Sequence, residues 1–287
     1  MKRSLPLLAA AALAAVLATP GAAHAAAPTG KYVALGDSYT SGPLIPTQVD
    51  LNCVRSDRNY PSVVRTAIGS ASFRDVSCGG ATTSDILNPG SGQLGIAVPA
   101  QIASVTADTA LVTVGIGGND IGFSGIINTC VSASYSKPFG SPCKDQYTAG
   151  GVDQLQNRIA ATAPKIATVL AAVHGAAPGA KVVVVGYPVI LPDSGFGCFP
   201  VQPLAFGDVP YLRGIAKSLN AMLASTAAAN GASYVDTYTP SIGHDICKSS
   251  STRWVEGLIP GSSAAPFHPN ARGEQAMATA VTAHLNA

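Results

Sequence analysis

Runs of apolar and β-branched residues alternate along the chain with stretches in which apolar side chains recur every three or four positions. The apolar runs predict β-strands at residues 31–35, 110–116 and 181–185, and we also expect a weak strand at residues 72–76 and a last short one at residues 233–236. The helical spacing predicts four helices, at residues 60–68, 152–173, 209–229 and 270–285. We expect the second helix to continue through Pro164 and to end at His174-Gly175.

Near-continuous apolar strands separated by helices are typical of a parallel sheet that is covered on both faces. We therefore predict a three-layered α/β fold with a central parallel sheet, in a single domain over residues 26–287. In such a fold the ligand lies at the carboxyl ends of the strands. The loops that follow the strands are the places where functional residues are expected.

The N-terminus has the three-part pattern of a secretory signal peptide. Lys2 and Arg3 give a positive start, residues 5–18 are almost wholly apolar, and small residues surround Ala25. The apolar run is shorter than the about 20 residues that a spanning helix needs, which argues against a membrane anchor. We predict a signal peptide over residues 1–25, secretion, and no transmembrane segment in the mature chain.

Few charges remain after cleavage. Only 11% of the residues are Asp, Glu, Lys or Arg, against about 25% in an average soluble domain. Loss of Lys2 and Arg3 would reduce the 17 basic residues to 15, which equals the 15 acidic ones. Because nucleic-acid binding depends largely on neutralising phosphates, this balance argues against a nucleic-acid partner.

All six cysteines follow the predicted signal peptide. An even number of cysteines in an exported chain indicates disulfides, and the absence of a CxxC or HExxH pattern argues against a zinc site. Six cysteines allow fifteen pairings. We predict the sequential one, which gives the disulfides Cys53–Cys78, Cys130–Cys143 and Cys198–Cys247.

Three loops after predicted strands carry glycine beside polar residues. They contain Gly36-Asp37-Ser38, Cys78-Gly79-Gly80 and Gly117-Gly118-Asn119-Asp120. Glycine lets backbone N–H groups approach a ligand closely, and an Asn side chain can donate to a developing oxyanion. Taken one at a time, each loop is also explained as an ordinary turn.

Among the histidines, His268 is the best-placed candidate for a general base, because it lies in a loop just before the last predicted helix. A structural explanation suffices for His174 at a helix end, and His284 near the C-terminus is expected at the surface. His244, close to Cys247, is either a structural residue or one at the rim of the site.

The order of several such segments along the chain distinguishes between protein families better than any single segment does. The stretches YVALGDSYTSG, CGGATT, IGGNDIGF, GHDIC, and RWVEGLIP followed by HPNARG occur in this order. In these stretches the chain resembles the SGNH (GDSL) hydrolases, and in particular the exported actinomycete lipases and esterases of that family. The resemblance covers nearly the whole mature chain. It implies a flavodoxin-like three-layer α/β fold, hydrolysis of carboxylic esters, and no metal or cofactor.

The resemblance also implies roles for individual residues. Ser38 would be the nucleophile, and His268 the base that takes its proton and later returns it to the leaving alcohol. The backbone N–H groups of Ser38 and Gly80, with the Asn119 side chain, would form the oxyanion hole.

One position departs from the family pattern. The wider family usually has Asp three residues before the catalytic His, and here Ala265 stands in that place. We therefore expect a backbone carbonyl of Ala265 or Pro266 to orient His268, as in some members of the actinomycete group. Asp245 and Glu256 are the alternative acids.

The favoured function is that of a secreted, monomeric lipase acting on acylglycerols. Apolar residues at 44–46, 187–191 and 258–260, with Phe196, Phe199 and Phe206, would suit an acyl chain. Simple packing under disulfide-linked loops explains them equally well. The alternatives are a phospholipase A or a carbohydrate acetyl esterase with the same site, and, in another class, a non-catalytic surface-binding module.

Overall fold

The structure, a computed structural model, describes Met1 and residues 27–287. The predicted signal peptide, apart from Met1, lies outside the described residues. Within the described part, the central sheet consists of five parallel strands: β1 (Lys31–Gly36), β2 (Ser72–Asp75), β3 (Thr109–Gly115), β4 (Lys181–Val185) and β5 (Ser233–Val235). Their order across the sheet is β2-β1-β3-β4-β5, which is the flavodoxin-like order. The predicted α/β fold with a central parallel sheet is confirmed.

The described helices are α1 (Ser38–Ser41), α2 (Tyr60–Ile68), α3 (Thr83–Leu87), α4 (Phe123–Ser134), α5 (Pro142–Tyr147), α6 (Gln154–Ala176), α7 (Asp208–Ala229) and α8 (Ala271–Leu285). The four predicted helices correspond to α2, α6, α7 and α8. The helix α6 continues through Pro164 as predicted and ends at Ala176, one residue after the predicted end at His174-Gly175. The sequence analysis missed the shorter helices.

Alternation along each strand divides the core into two layers. On one face of the sheet, Tyr32, Ala34 and Val183 pack with buried residues of α2 and α8. On the other face, Val33 and Val112 pack with α4, α6 and α7. Because both faces are covered, β1, β3 and β4 are apolar at almost every position, and this is the pattern that made them predictable. The edge strand β2, with the sequence SFRD, alternates instead between exposed and half-buried residues.

By length and composition alone, α6 is long and apolar enough to cross a membrane. It is the one such helix among the described residues, and its mean hydropathy reaches 1.3 over the segment Ala149–Ala176. Core helices of globular proteins meet the same criterion, and α6 packs one side of its length into the core through Leu155, Ile159, Ile166, Val169, Leu170 and Val173.

Covalent links connect the loops at the carboxyl edge of the sheet. The three predicted disulfides are present: Cys53–Cys78, Cys130–Cys143 and Cys198–Cys247. The first joins the loop after β2 to a small hairpin formed by Gln48–Asp50 and Arg55–Ser56.

Candidate active site

The end of β1 presents Ser38 at the carboxyl edge of the sheet. Gly36 ends the strand, and a Cβ at this position would lie 2.2 Å from Thr40 Oγ1, so only glycine leaves room for the turn. Asp37 then caps α1, since its carboxylate accepts from the Tyr39 N–H at 2.9 Å. Ser38, the first residue of α1, is half-buried and retains access to solvent.

His268 reaches Ser38 from the loop that enters α8. Asn270 caps this helix by accepting from the N–H groups of Arg272 and Gly273 at 3.0 and 3.2 Å, which fixes the end of the loop. The Nε2 atom of His268 lies 2.8 Å from Ser38 Oγ. On its other side, Nδ1 lies 2.8 Å from the carbonyl oxygen of Pro266.

These two contacts determine the protonation of the His268 ring. A carbonyl oxygen can only accept, so Nδ1 carries the proton and Nε2 is free to accept from the Ser38 hydroxyl. Burial lowers the pKa of His268 below its usual 6.5, and the bond to Pro266 opposes this shift in part. The ring is therefore neutral at neutral pH, which is the form that a general base requires.

The two alternative acids have other partners. Asp245 accepts from the Cys247 N–H at 2.9 Å. The Glu256 carboxylate pairs with the Arg253 guanidinium at 2.5 Å and accepts from the Asn270 side chain at 2.7 Å. Within residues 27–287, no carboxylate forms a hydrogen bond to His268.

The other histidines within residues 27–287 lie in structural contacts. His174 Nε2 lies 3.0 Å from Asn230 O, and His284 Nε2 lies 2.8 Å from Ser233 Oγ. The His244 ring stacks on that of Trp254, with 3.7 Å between the ring centroids.

In the described part of the chain, no three His, Cys, Asp or Glu side chains come together in a way that could hold a metal ion.

The loops after β2 and β3 bring Gly80 and Asn119 together. The Asn119 side chain donates to Ala81 O at 2.9 Å, which leaves its second N–H available. Gly80 has a φ of +84°, a conformation that L side chains rarely adopt. Neither the Ser38 nor the Gly80 N–H has an acceptor among the described residues, so both can donate to a ligand.

An apolar cavity opens beside Ser38. Its volume, including the open mouth, is about 810 Å³. The apolar wall comes from α4, α7 and the loop after β4, with the side chains of Ile121, Phe123, Ile126, Ile127, Ile190, Leu191, Leu212, Ile215 and Leu219. The sequence analysis anticipated Ile190 and Leu191 and missed the wall from α4, although its apolar residues have helical spacing. The predicted aromatic residues Phe196, Phe199 and Phe206 are not part of this wall.

Known proteins share the sequence pattern and the fold of this chain. The profile of the GDSL-like Lipase/Acylhydrolase family matches residues 34–276. The chain belongs to this family. It is 42% identical over 272 residues to Lipase 2 of Streptomyces coelicolor, an alignment that covers 91% of this chain and 88% of that protein.

Two solved structures share the fold of this GDSL-like hydrolase. Phospholipase A1 from Streptomyces albidoflavus NA297 matches with a TM-score of 0.73 at 30% identity, covering 91% of this chain and 100% of that one. The extracellular lipase from Streptomyces rimosus matches with a TM-score of 0.69 at 28% identity, and the match covers 90% of this chain and 99% of that one. The predicted family and enzyme class are confirmed: the protein is a carboxylic ester hydrolase.

The sequence analysis placed Tyr187 in an apolar segment that would suit an acyl chain, but it missed that this buried tyrosine connects two loops of the GDSL-like site. Tyr187 Oη accepts from the Gly118 N–H at 2.8 Å and donates to Asp37 Oδ2 at 2.6 Å. It thereby ties the residue before Ser38 to the residue before Asn119. Burial raises the pKa of Asp37 to about 7, although the bond from Tyr187 opposes this shift. The one signal in the sequence was the position of Tyr187 just after a predicted strand.

Proposed function

We propose that this hydrolase is a secreted lipase that cleaves the carboxylic esters of acylglycerols through an acyl-enzyme on Ser38. One observation carries the proposal: Ser38 Oγ and His268 Nε2 lie 2.8 Å apart, and Ser38 lines an apolar cavity. A nucleophile and a base at this distance, with the base oriented by a third group, form the arrangement that nucleophilic catalysis requires.

The reaction takes two steps. In the first, His268 Nε2 accepts the Ser38 proton as Oγ attacks the ester carbonyl carbon. The resulting tetrahedral oxyanion collapses, the ester C–O bond breaks, and the imidazolium returns the proton to the leaving alcohol. In the second, His268 takes a proton from water as the water oxygen attacks the acyl carbon. The bond between that carbon and Ser38 Oγ then breaks, and the imidazolium returns its proton to Oγ, which releases the carboxylic acid.

We assign the oxyanion hole to the N–H groups of Ser38 and Gly80 and to the Asn119 side chain. The two unpaired backbone N–H groups and the free N–H of Asn119 support this role. We assign the orientation of His268 to the Pro266 carbonyl, which supplies a dipole where the wider family usually has a carboxylate.

The cavity supports a long acyl chain rather than an acetyl group, because its wall is formed almost entirely by aliphatic and aromatic side chains that extend well beyond Ser38. A phospholipase A activity is the second candidate. Asn119 also borders a polar groove, lined by Thr82, Ser84 and Lys165, that could take a polar leaving group.

A substrate comparison tests these assignments. Tributyrin, triolein and phosphatidylcholine are offered side by side, with Ser38→Ala as the control. The lipase proposal predicts hydrolysis of both triacylglycerols, and loss of all activity in Ser38→Ala. Faster hydrolysis of phosphatidylcholine would favour the phospholipase, and hydrolysis of none of the three substrates would contradict both.

A cavity variant tests where the acyl chain binds. Ile126→Trp adds bulk to the cavity wall and should lower the ratio of p-nitrophenyl palmitate to p-nitrophenyl butyrate hydrolysis by about tenfold or more. Ile242→Trp makes the same change at an exposed position away from this cavity and should leave the ratio unchanged. Equal ratios in the two variants would contradict the assignment.

Secretion and a monomeric state complete the proposal. Three disulfides support an oxidising compartment. Sequencing the N-terminus of protein from the culture medium tests the cleavage site, which we expect near Ala25. Size-exclusion chromatography tests whether the secreted protein is a monomer in solution.

A further inference from the structure

The turn that carries His268 has an unusual backbone. For Nδ1 to face the Pro266 carbonyl two residues back, the chain turns sharply through Phe267, whose φ is +61°. This left-handed conformation is unfavourable for a bulky L residue, and it persists only where the surroundings impose it. The turn therefore depends on contacts from other parts of the protein.

Tyr39 supplies one of these contacts from the residue directly after Ser38. Its Oη donates to the Phe267 carbonyl oxygen at 2.5 Å. Its ring centroid lies 4.9 Å from that of His268, and both Tyr39 and Phe267 are buried. The Phe267 N–H donates to Glu256 O at 2.9 Å, so hydrogen bonds hold both polar backbone atoms of Phe267.

We propose that Tyr39 is a positioning residue for His268: its hydroxyl holds the Phe267 carbonyl, and with it the turn in which Pro266 accepts from Nδ1. This inference rests on the proposed role of His268 as the base. It gives the protein a device that orients the imidazole without a carboxylate at position 265.

Three features favour this role over simple packing. The Asp37 carboxylate accepts from the Tyr39 N–H, so Tyr39 is held in place on the segment that carries the nucleophile. The hydroxyl is aimed at the one residue of the turn with an unfavourable backbone conformation. Burial raises the pKa of Tyr39 well above its usual 10, so the phenol remains a donor over the working pH range.

The test is Tyr39→Phe, which keeps the ring beside His268 and removes the hydroxyl. We expect kcat for p-nitrophenyl butyrate to fall about tenfold to a hundredfold with KM nearly unchanged, because a misplaced base slows the chemical step more than it weakens binding. The hydrogen bond to Pro266 raises the pKa of His268. A loosened turn should therefore move the acid limb of the kcat/KM profile to lower pH.

The matched control is Tyr32→Phe. Tyr32 is fully buried on the opposite face of the sheet, and its hydroxyl bonds to Thr113 Oγ1 at 2.8 Å. It should lose a similar amount of thermal stability with an unchanged kcat and pH profile. Thermal melts of both variants establish that each is folded.

Two results would overturn the inference: a native kcat and pH profile in Tyr39→Phe, or an equal loss of kcat in both variants with no movement of the acid limb. The proposed function has a separate test, since it fails if His268→Ala keeps native activity.

Discussion

Ser38 and His268 are 230 positions apart in the chain, yet their reactive atoms lie within 2.8 Å. On its far side the imidazole faces the Pro266 carbonyl, which fixes the tautomer through a dipole instead of a full negative charge. Burial keeps the ring neutral. These properties make His268 suited to accept a proton at and below neutral pH.

The pH dependence of catalysis follows from this environment. Since the pKa of His268 is lowered and the neutral ring is the active base, activity is lost as pH falls through that lowered value. We expect the acid limb of kcat/KM for p-nitrophenyl butyrate to have its midpoint below 6.5, the usual pKa of histidine. A midpoint above that value would show that the ring is stabilised as a cation.

The Asn119 side chain offers a second test on a single residue. Asn119→Ala removes one donor from the proposed oxyanion hole and should lower kcat by about 10² to 10³. Asn88→Ala, which removes an exposed Asn side chain bonded only within α3, should leave kcat unchanged. Activity within a factor of about two of native in Asn119→Ala would remove this residue from the hole.

Among the structural elements, the loop between β2 and α3 is the most constrained. Gly80→Ala places a side chain at a φ of +84° and 2.9 Å from Gln93 Nε2, so we expect a loss of stability of about 1 kcal/mol or more together with a lower kcat. Gly69→Ala has a comparable φ of +65° with no atom within 4 Å of the new Cβ. It should lose stability alone, and chemical denaturation with assays of both variants separates the two effects.

An element could be predicted from the sequence when the apolar pattern that stabilises it lies within its own residues. The strands β1, β3 and β4 and the helices α2, α6, α7 and α8 were predictable because each buries a continuous or periodic apolar surface. By contrast, α4 has a glycine in its first turn and lies between two loops, and its helical state is stabilised by packing against the rest of the fold.

The residues of the candidate site also fall into those that local sequence motifs reveal and those that depend on distant contacts. Ser38, Gly80, Asn119 and His268 were predictable because they lie in short motifs with a recognisable order. The bonds of Tyr187 to Asp37 and Gly118 span up to 150 positions, and no local pattern encodes them. Contacts of this kind exist only once the sheet has brought its loops together.

The stability of the protein depends in part on how its disulfides constrain the unfolded chain. Cys198–Cys247 spans 49 positions and Cys130–Cys143 spans 13. In the chain-entropy treatment, these bridges contribute about 4 and about 3 kcal/mol respectively. Replacing each pair with serine should therefore cost more stability for the longer loop, as measured by urea denaturation. The opposite ranking would show that native contacts, rather than loop length, dominate.

The most direct test of the whole account is covalent labelling with a fluorophosphonate, followed by peptide mass spectrometry. We expect a single adduct on Ser38, no adduct in Ser38→Ala, and labelling at least about 10³-fold slower in His268→Ala, because the hydroxyl is a poor nucleophile without its base. An unlabelled protein would support a binding module without catalysis. An adduct on another residue, or a labelling rate unaffected by His268→Ala, would contradict the proposed Ser38–His268 site.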